Sequence, residues 1–465
     1  MTYFFETYGC QMNVAESAAV ERLFVARGWT PAPTAQTADM AIINTCSVRQ
    51  TAENRIFGRL GWYRGLKAVR AGEPGAKDKS LGEAAAFVRD GARPLTLVVM
   101  GCMAERLLTS FQADFPVIDY VVGTFAKQQF GDIITAVEER RSAFTVADAP
   151  TYTFAPLSYK TGSFTSYVPI MHGCNQFCTF CIVPHVRGRE VSRPVKDIMA
   201  EIDALSQYGV REITLLGQTV DAYYGETEQG SGQYCDFAAL LETIAAHLRH
   251  TKSSIGWVRF LSSHPNSLND AVIEAIATHD VLCPHIHLAV QHGSDDILKR
   301  MNRRYTVSDY LAVVERIRAR IPQVSLTTDI MVGFPGETDA DVQLTLDLME
   351  RVRYENAFMY YYNPREGTPA ARFTDQVSVK EKKQRLSAVI ALQKRITKEE
   401  MHKRLGTVTR ALVESVSRDS TAEVLAKTPQ DERVAFAADK RSIGEFVTVR
   451  LDTCAGETFR GTRVS

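Results

Sequence analysis

Three cysteines are closely spaced in the segment Gly173-Cys174-Asn175-Gln176-Phe177-Cys178-Thr179-Phe180-Cys181. It follows a short apolar run, residues 167–171, which is typical of a β-strand, so the three cysteines lie on the loop after that strand. The chain has only 9 cysteines among 465 residues, and chance is a poor explanation for this spacing. Three thiolates on one loop predict a centre that holds a soft metal.

Two kinds of metal centre are compatible with this triplet. A structural zinc site needs a fourth protein ligand, for which His172 and His185 are the candidates. An iron-sulfur cluster held by three cysteines instead leaves one iron with an open position, which implies chemistry. The spacing alone leaves both interpretations open.

The sequence on both sides of the triplet alternates strand and helix patterns. The six strand candidates are residues 167–171, 212–216, 257–261, 285–290, 325–332 and 357–362. The clearest helical patterns between them are residues 195–208, 237–248, 271–278 and 307–317. Six β/α units predict a TIM-type barrel or part of one.

The amino-terminal part of the chain predicts a separate open parallel sheet. Strand patterns at residues 3–8, 40–44, 95–100 and 118–122 alternate with helical patterns. Cys10, Cys46 and Cys102 each follow one of the first three strands. The carboxyl ends of parallel strands line one edge of the sheet, so we expect the three thiols to converge there. The alternative is three buried structural cysteines, but the repeated placement favours a second three-cysteine cluster.

Composition limits the class of protein. A chain of 465 residues corresponds to about three domains. It has 54 basic and 54 acidic residues, so a polyanion site has to be local. No apolar run approaches the ~18 residues of a membrane helix, and the first residues do not resemble a signal peptide. We therefore expect a cytosolic protein that does not bind membranes.

The carboxyl-terminal part changes character twice. Residues 380–404 form a helical pattern with a clear excess of Lys and Arg over Glu, which fits either a solvated helix face or a polyanion-binding surface. From residue 406 onward, short apolar runs alternate with Gly, Asp, Ser and Lys. This spacing predicts a small all-β barrel.

Several motifs together resemble known families. The triplet, with an aromatic residue before its last cysteine and a six-unit β/α series around it, resembles the radical S-adenosylmethionine enzymes. Further segments resemble the methylthiotransferases within that group, so that the similarity covers nearly the whole chain. These segments are Tyr8-Gly9-Cys10-Gln11-Met12-Asn13, Asn44-Thr45-Cys46-Ser47-Val48-Arg49, Gly101-Cys102-Met103-Ala104-Glu105-Arg106, Arg187-Gly188-Arg189-Glu190 and Gly333-Phe334-Pro335-Gly336-Glu337-Thr338.

The resemblance implies two 4Fe-4S clusters and S-adenosyl-L-methionine as cofactors. Cys174, Cys178 and Cys181 would hold the cluster that cleaves S-adenosylmethionine to a 5′-deoxyadenosyl radical. That radical would take hydrogen from carbon 2 of a prenylated adenine beside a tRNA anticodon. The auxiliary cluster would supply or carry the sulfur, which a second S-adenosylmethionine methylates. The six cluster ligands implied are Cys10, Cys46, Cys102, Cys174, Cys178 and Cys181.

The resemblance also implies partners and a domain layout. Gln-Met-Asn after Cys10 is most similar to the branch that acts on dimethylallyladenosine. The alternatives are a methylthiotransferase acting on threonylcarbamoyladenosine tRNA or a ribosomal-protein aspartate, or a non-catalytic iron-sulfur protein that binds RNA. The expected partners are tRNA and a reducing protein of the flavodoxin or ferredoxin type, with the enzyme a monomer. The layout is residues 1–140 for the auxiliary cluster, 160–397 for the radical core and 398–465 for a TRAM RNA-binding barrel.

Six residues are candidates for contact with S-adenosylmethionine: Gly217, Gln218, Arg303, Arg304, Gly333 and Gly336. The Gly-Gln pair ends a barrel strand, where barrel sites gather. Guanidinium groups suit the methionine carboxylate, although a solvated arginine pair is the alternative. Glycines permit close backbone approach to an adenine, although a simple strand-to-helix turn would also use them. Departures from the family pattern lie at Thr219, Asp221, His292 and residues 426–428.

Overall fold

A computed structural model of the chain describes residues 1–47, 50–73, 94–108, 110–147, 151–418, 420 and 422–464; of residues 50–52 only the backbone is considered. Val48 and Arg49 of the second motif therefore lie outside the described residues. The chain divides into two compact units, Met1–Asn175 with Ile182–Arg193 and Gln176–Cys181 with Pro194–Ser465. Within the described residues, no helix has the length and apolar character needed to cross a bilayer.

The first unit contains eight strands and six helices among the described residues. They are β1 Thr2–Thr7, α1 Gln11–Ala26, β2 Thr30–Pro31, β3 Met40–Thr45, α2 Gln50–Arg70, β4 Thr96–Gly101, α3 Cys102–Arg106, α4 Phe111–Asp114, β5 Tyr120–Val122, α5 Phe130–Glu138, β6 Thr165–Pro169, β7 Met171–His172, α6 Val183–Arg187 and β8 Val191–Ser192.

A five-stranded parallel sheet organises this unit, with strand order β2-β1-β3-β4-β5. Successive residues of one strand face opposite sides. On β3, Ile43 packs into one hydrophobic cluster with Leu60 of α2, while Ile42 packs into another with Phe24 of α1 and Phe130 of α5. Both faces of the sheet are therefore covered, which confirms the predicted open α/β architecture.

The second unit begins with a β/α series. Its elements are α7 Val195–Gln207, β9 Glu212–Leu216, β10 Tyr224–Glu226, β11 Tyr234–Asp236, α8 Phe237–His250, β12 Trp257–Phe260, α9 Asp270–Thr278, β13 His285–His287, α10 Asp295–Arg300, α11 Val307–Arg320, β14 Ser325–Val332, α12 Asp339–Val352, β15 Asn356–Tyr361 and α13 Val379–Lys403.

The parallel strands of this series follow chain order. β12 pairs with β9, β14 lies between β13 and β15, and single bridges, such as Val258 to Leu282, join the two groups. The predicted first strand of the series corresponds to β6, which belongs to the first unit. This layout confirms the predicted partial barrel.

The chain ends in a closed five-stranded barrel that confirms the predicted all-β tail. Its strands are β16 Val408–Val416, β17 Glu423–Lys427, β18 Arg433–Ala437, β19 Phe446–Ala455 and β20 Thr458–Val464, in the order β16-β17-β18-β20-β19. Buried side chains such as Val424, Phe436 and Phe459 fill it. The cationic helix α13 precedes the barrel, and its Arg385, Arg395 and Lys403 form ion pairs with carboxylates.

Candidate metal centres

The three cysteines of the first unit lie at the carboxyl ends of neighbouring strands. Cys10 is the N-cap of α1, three positions after the last residue of β1, Cys46 follows β3, and Cys102 opens α3 after β4. β3 lies between β1 and β4 in the sheet. The fold therefore brings the three thiols to the same edge.

Two glycines allow these loops to pack closely. Gly9 has φ +141°, and a Cβ there would lie 2.8 Å from the Cβ of Cys46. Gly101 has φ +95°, and a Cβ there would lie 2.5 Å from the carbonyl oxygen of Thr45. Any larger residue would force the cysteine-bearing loops apart, so both positions require glycine.

Asn13 ties the first two cysteine loops together. Its Nδ2 donates to Asn44 Oδ1 at 2.8 Å and to the carbonyl oxygen of Thr45 at 3.0 Å. Its Oδ1 accepts a hydrogen bond from the backbone N–H of Cys10 at 3.3 Å. Asn13 is fully buried, so these bonds also satisfy an amide that water cannot reach.

The Cys102 thiol is buried and interacts electrostatically with both other thiols. Burial raises the pKa of Cys102 to about 12; the charge of Arg187 opposes this rise, while those of Cys46 and Cys10 add to it. A bound metal cation would stabilise the thiolate forms of such a group. The three cysteines therefore fit an iron-sulfur cluster.

A buried ionic network adjoins Cys102. The Nε of Arg187 donates to Cys102 Sγ at 3.3 Å, and its Nη1 and Nη2 donate to the two carboxylate oxygens of Glu16 at 2.9 and 3.2 Å. Lys127 Nζ donates to the same carboxylate at 2.8 Å. Although burial raises the pKa of Glu16, the charges of Arg187 and Lys127 outweigh it and lower this pKa to about 2. Glu16 is therefore ionised.

His172, a candidate fourth zinc ligand, belongs to the same network. Its ring stacks on Tyr152 with centroids 3.5 Å apart, and its Nδ1 lies 3.3 Å from Arg187 Nη1, which donates to it. Burial, followed by the charges of Arg187 and Lys127, holds the pKa of His172 well below its usual range. The other zinc candidate, His185, is exposed on α6.

Cys174 of the triplet belongs to the first unit. Its backbone N–H donates to the carbonyl oxygen of Gly188 at 3.1 Å, which fixes the start of the cysteine loop. Gly173 before it has φ +81°, and a Cβ there would collide with the backbone of Arg189. The Arg187-Gly188-Arg189-Glu190 motif therefore supports the triplet from its first cysteine.

Cys178 and Cys181 belong to the second unit. The N–H of Thr179 between them donates to the carbonyl oxygen of Met301 at 3.0 Å. Asn302 Nδ2 donates to the carbonyl oxygen of Phe177 at 2.9 Å. The residues after α10 thus hold this part of the loop by its backbone.

Arg303 and Arg304 differ in their surroundings. Arg303 is 6% exposed and donates to Cys178 Sγ at 3.5 Å, to the hydroxyl of Tyr305 at 2.9 Å and to the carbonyl oxygen of Ala289 at 2.7 Å. Arg304 is exposed. The alternative of a solvated pair is therefore wrong for Arg303, whose guanidinium contacts the cysteine loop.

The predicted glycines occupy two loops of the second unit. Gly217 and Gln218 directly follow β9, at its carboxyl end. Gly333 and Gly336 follow β14 with φ +70° and +78°, and side chains placed there would collide with Lys382 and Asp375. Packing within the chain is sufficient to require these two glycines.

Glu16 and Lys127 are site residues that the sequence analysis did not identify. The available signal was weak: Glu16 is a charged residue on the apolar, buried side of α1, where unpaired carboxylates are rare. Across the described ranges, no three Cys, His, Asp or Glu side chains surround one point closely enough to hold a single metal ion. A cluster makes a different demand, because each thiolate binds a different iron.

Two family models match separate parts of the chain. A family model described as the Radical SAM superfamily matches residues 168–349, and one described as Uncharacterized protein family UPF0004 matches residues 2–123. A radical S-adenosylmethionine methyltransferase, TsrM, from Kitasatospora setae, solved with cobalamin and a [4Fe-4S] cluster bound, superposes with a TM-score of 0.55 at 12% identity. The superposition covers 80% of this chain and 77% of that one. At this identity the likeness shows the fold alone.

Curated relatives are similar along nearly their whole length. A tRNA-2-methylthio-N(6)-dimethylallyladenosine synthase from Treponema denticola is 47% identical over 473 residues, covering 99% of both chains. The protein of the same name from Treponema pallidum is 46% identical, covering 99% of this chain and 98% of its own. That from Carboxydothermus hydrogenoformans is 39% identical, covering 97% and 96%.

Proposed function

The chain belongs to the family of tRNA-2-methylthio-N6-dimethylallyladenosine synthases, which are radical S-adenosylmethionine enzymes, and we propose that it methylthiolates carbon 2 of N6-dimethylallyladenosine beside the tRNA anticodon. The observation that carries the proposal is the 47% identity over 99% of the chain. The placement of Cys10, Cys46 and Cys102 after the carboxyl ends of neighbouring strands of the first unit supports it independently.

We assign one 4Fe-4S cluster to each cysteine set. Cys174, Cys178 and Cys181 hold the radical-generating cluster and are the catalytic cysteines. The second set, Cys10, Cys46 and Cys102, holds the auxiliary cluster. When bound, the cluster of Cys174, Cys178 and Cys181 would supply the electron that cleaves S-adenosylmethionine, and the auxiliary cluster would supply or carry the sulfur.

The protein's own residues orient these groups. Asn13 and Gly9 hold the Cys10 loop against Cys46. In the second unit, Arg303 steadies the Cys178 sulfur. The exposed Arg304 remains available for the methionine carboxylate.

The remaining contacts and partners complete the proposal. Gly217, Gln218, Gly333 and Gly336 lie on loops at the carboxyl ends of β9 and β14, where a barrel enzyme binds its substrates. The barrel within residues 398–465 contacts tRNA as a TRAM domain, residues 160–397 form the radical core, and residues 1–140 form the auxiliary-cluster domain. A flavodoxin- or ferredoxin-type protein supplies electrons to a cytoplasmic monomer.

The decisive test is mass analysis of tRNA nucleosides. The chain, reconstituted anaerobically with iron and sulfide, is incubated with reductant, S-adenosylmethionine and tRNA carrying dimethylallyladenosine. We expect the methylthio nucleoside together with 5′-deoxyadenosine. Release of 5′-deoxyadenosine with an unmodified base would contradict the assigned substrate and direct the test to threonylcarbamoyladenosine tRNA or a ribosomal-protein aspartate.

Single cysteine substitutions separate the two clusters. Cys174→Ala should abolish S-adenosylmethionine cleavage, whereas Cys46→Ala should preserve cleavage and yield no methylthio product. Cys235→Ala is the matched control, because that buried cysteine belongs to neither set. A normal yield of methylthio product from Cys46→Ala would refute the assignment of two clusters.

A further inference from the structure

The Arg187 side chain directs one N–H at a cysteine sulfur and its two outer nitrogens at a carboxylate. Arg187 and Glu16 are each 3% exposed, so the contact between Nε and Cys102 Sγ lies away from water. We propose that Arg187 is a positioning residue that raises the reduction potential of the auxiliary cluster through this hydrogen bond to the Cys102 sulfur. The inference rests on the proposed function, which assigns that cluster to Cys10, Cys46 and Cys102.

Hydrogen bonds from its two outer nitrogens fix the orientation of the Arg187 guanidinium. Glu16 accepts from both outer nitrogens of Arg187, a forked geometry that sets the plane of the group as well as its distance. Nη1 also donates to His172 Nδ1, which lies 3.3 Å away. With these bonds in place, the Nε–H has one direction left, which is toward Cys102.

The charges of the network favour an anion at Cys102. Arg187 and Lys127 are cations and Glu16 is an anion, so the three groups carry a net positive charge in a buried region. A buried net charge is costly unless an opposite charge lies beside it. The thiolates of a cluster held by Cys10, Cys46 and Cys102 would supply that charge at the position Arg187 already faces.

A donor to a ligating sulfur acts on the two redox states unequally. Reduction adds negative charge to a cluster, and an N–H aimed at its sulfur stabilises the more negative state more strongly. Exclusion of water enlarges the effect. The arrangement recurs in the second unit, where buried Arg303 donates to Cys178 Sγ. Each proposed cluster site therefore includes one cysteine that faces a buried arginine.

The test compares two substitutions that each remove one cation from the network. The parent is the full chain with Cys174, Cys178 and Cys181 changed to Ala, so that only the auxiliary cluster is observed after reconstitution. Arg187→Met leaves Glu16 neutralised by Lys127, and Lys127→Met leaves it neutralised by Arg187. Both variants avoid an unpaired buried carboxylate, but only the first loses the hydrogen bond to sulfur.

The readouts are the midpoint potential, measured by EPR during a redox titration, and the bound iron and sulfide. We expect Arg187→Met to disfavour reduction about tenfold, which is about 59 mV for one electron. Lys127→Met should shift the midpoint by less than half of that. Equal shifts in the two variants, or none with Arg187→Met, would overturn the proposal.

Two further outcomes are distinguishable. If the parent binds no cluster, Cys10, Cys46 and Cys102 do not hold the auxiliary cluster. That part of the proposed function is then wrong as well. If only Arg187→Met binds no iron, Arg187→Lys is titrated instead, since lysine keeps the charge but lacks the Nε–H held in plane. A midpoint for Arg187→Lys equal to that of the parent would overturn the role of the hydrogen bond.

Discussion

Arg259 of β12 joins the β/α core of the second unit to the carboxyl-terminal barrel. Its Nε donates to Glu212 Oε2 at 2.9 Å, and Nη1 and Nη2 donate to the carbonyl oxygens of Pro429 and Thr428, each at 2.7 Å. Glu212 also accepts from Lys427 Nζ of the barrel at 2.7 Å. Arg259 is 4% exposed. We expect Arg259→Met to destabilise the chain substantially.

The expected loss follows from these contacts. Methionine occupies the space of the arginine stem but donates to none of the three acceptors. Hydrogen bonds to charged groups contribute about 1.5–3 kcal/mol each, and removing one partner of a buried ion pair costs about 3–5 kcal/mol, values that do not add. Lys427 still neutralises Glu212, which favours the lower end, about 3 kcal/mol. With an unfolding entropy of about 2.1 cal/mol/K per residue, a unit of this size loses about 2 °C per kcal/mol, so the melting temperature should fall by about 5 °C.

Thermal melting of the full chain at neutral pH measures this loss. Arg353→Met is the matched control, because Arg353 pairs with Glu399 and Glu400 at the surface of the same unit. Surface pairs contribute up to about 1 kcal/mol, so this control should melt within about 2 °C of the unsubstituted protein. If both variants melt together, the buried bridge does not hold the barrel to the core and the reasoning is refuted.

Three smaller changes test other parts of the fold by thermal melting. Gly101→Ala places a carbon 2.5 Å from the carbonyl oxygen of Thr45 at φ +95°, so it should lower the melting temperature by several degrees. Gly58→Ala adds a carbon in open space on α2 and should not lower it. Equal melting temperatures of the two variants would contradict the crowding at Gly101. Burial raises the pKa of Glu355 to about 7 from 4.5. The contribution of the protonated Glu355 carboxyl to the free energy of unfolding is fully present below about pH 4.5 and is lost as the pH rises through 7. At pH 8 the free energy of unfolding of Glu355→Gln should therefore exceed that of the unsubstituted protein by about 1–3 kcal/mol, a range that allows for the partial exposure of Glu355. At pH 5 the difference should be small. An equal difference at both pH values contradicts this. Ser378→Ala removes the hydroxyl that caps α13 and should cost about 1 kcal/mol; an unchanged melting temperature means that the cap is dispensable.

Within the β/α series, the sequence predicts the starts of the helices as well as it predicts the strands: α7, α8 and α11 begin at the predicted residues 195, 237 and 307. The bounds of β9 and β14 match the predicted residues 212–216 and 325–332, because both strands are continuous buried runs. By contrast, the helical pattern after the first strand begins at Ala15 in the sequence, whereas α1 begins four residues earlier, at Gln11. Its N-cap is Cys10, a residue type that does not mark helix starts in a sequence.

The network beside Cys102 shows where prediction from sequence stops. The rule that parallel strands end at one edge is sufficient to bring three distant cysteines together. No such rule selects the side chains that face their sulfurs. Arg187 is separated from Glu16 by 171 positions and from Cys102 by 85, so those contacts depend on how helices α1, α3 and α6 pack. That packing is a property of the folded chain.

Helix α1 makes the number of residues between Cys10 and Glu16 a structural constraint. The helix starts directly after Cys10 and carries both Asn13 and Glu16 on its buried side. Each residue turns an α-helix by about 100°, so one inserted or deleted residue would rotate Glu16 away from Arg187. Substitution at the exposed Val14 should be tolerated, whereas a change of length should not. Insertions and deletions, which loops commonly tolerate, should therefore be absent from this segment in any functional variant.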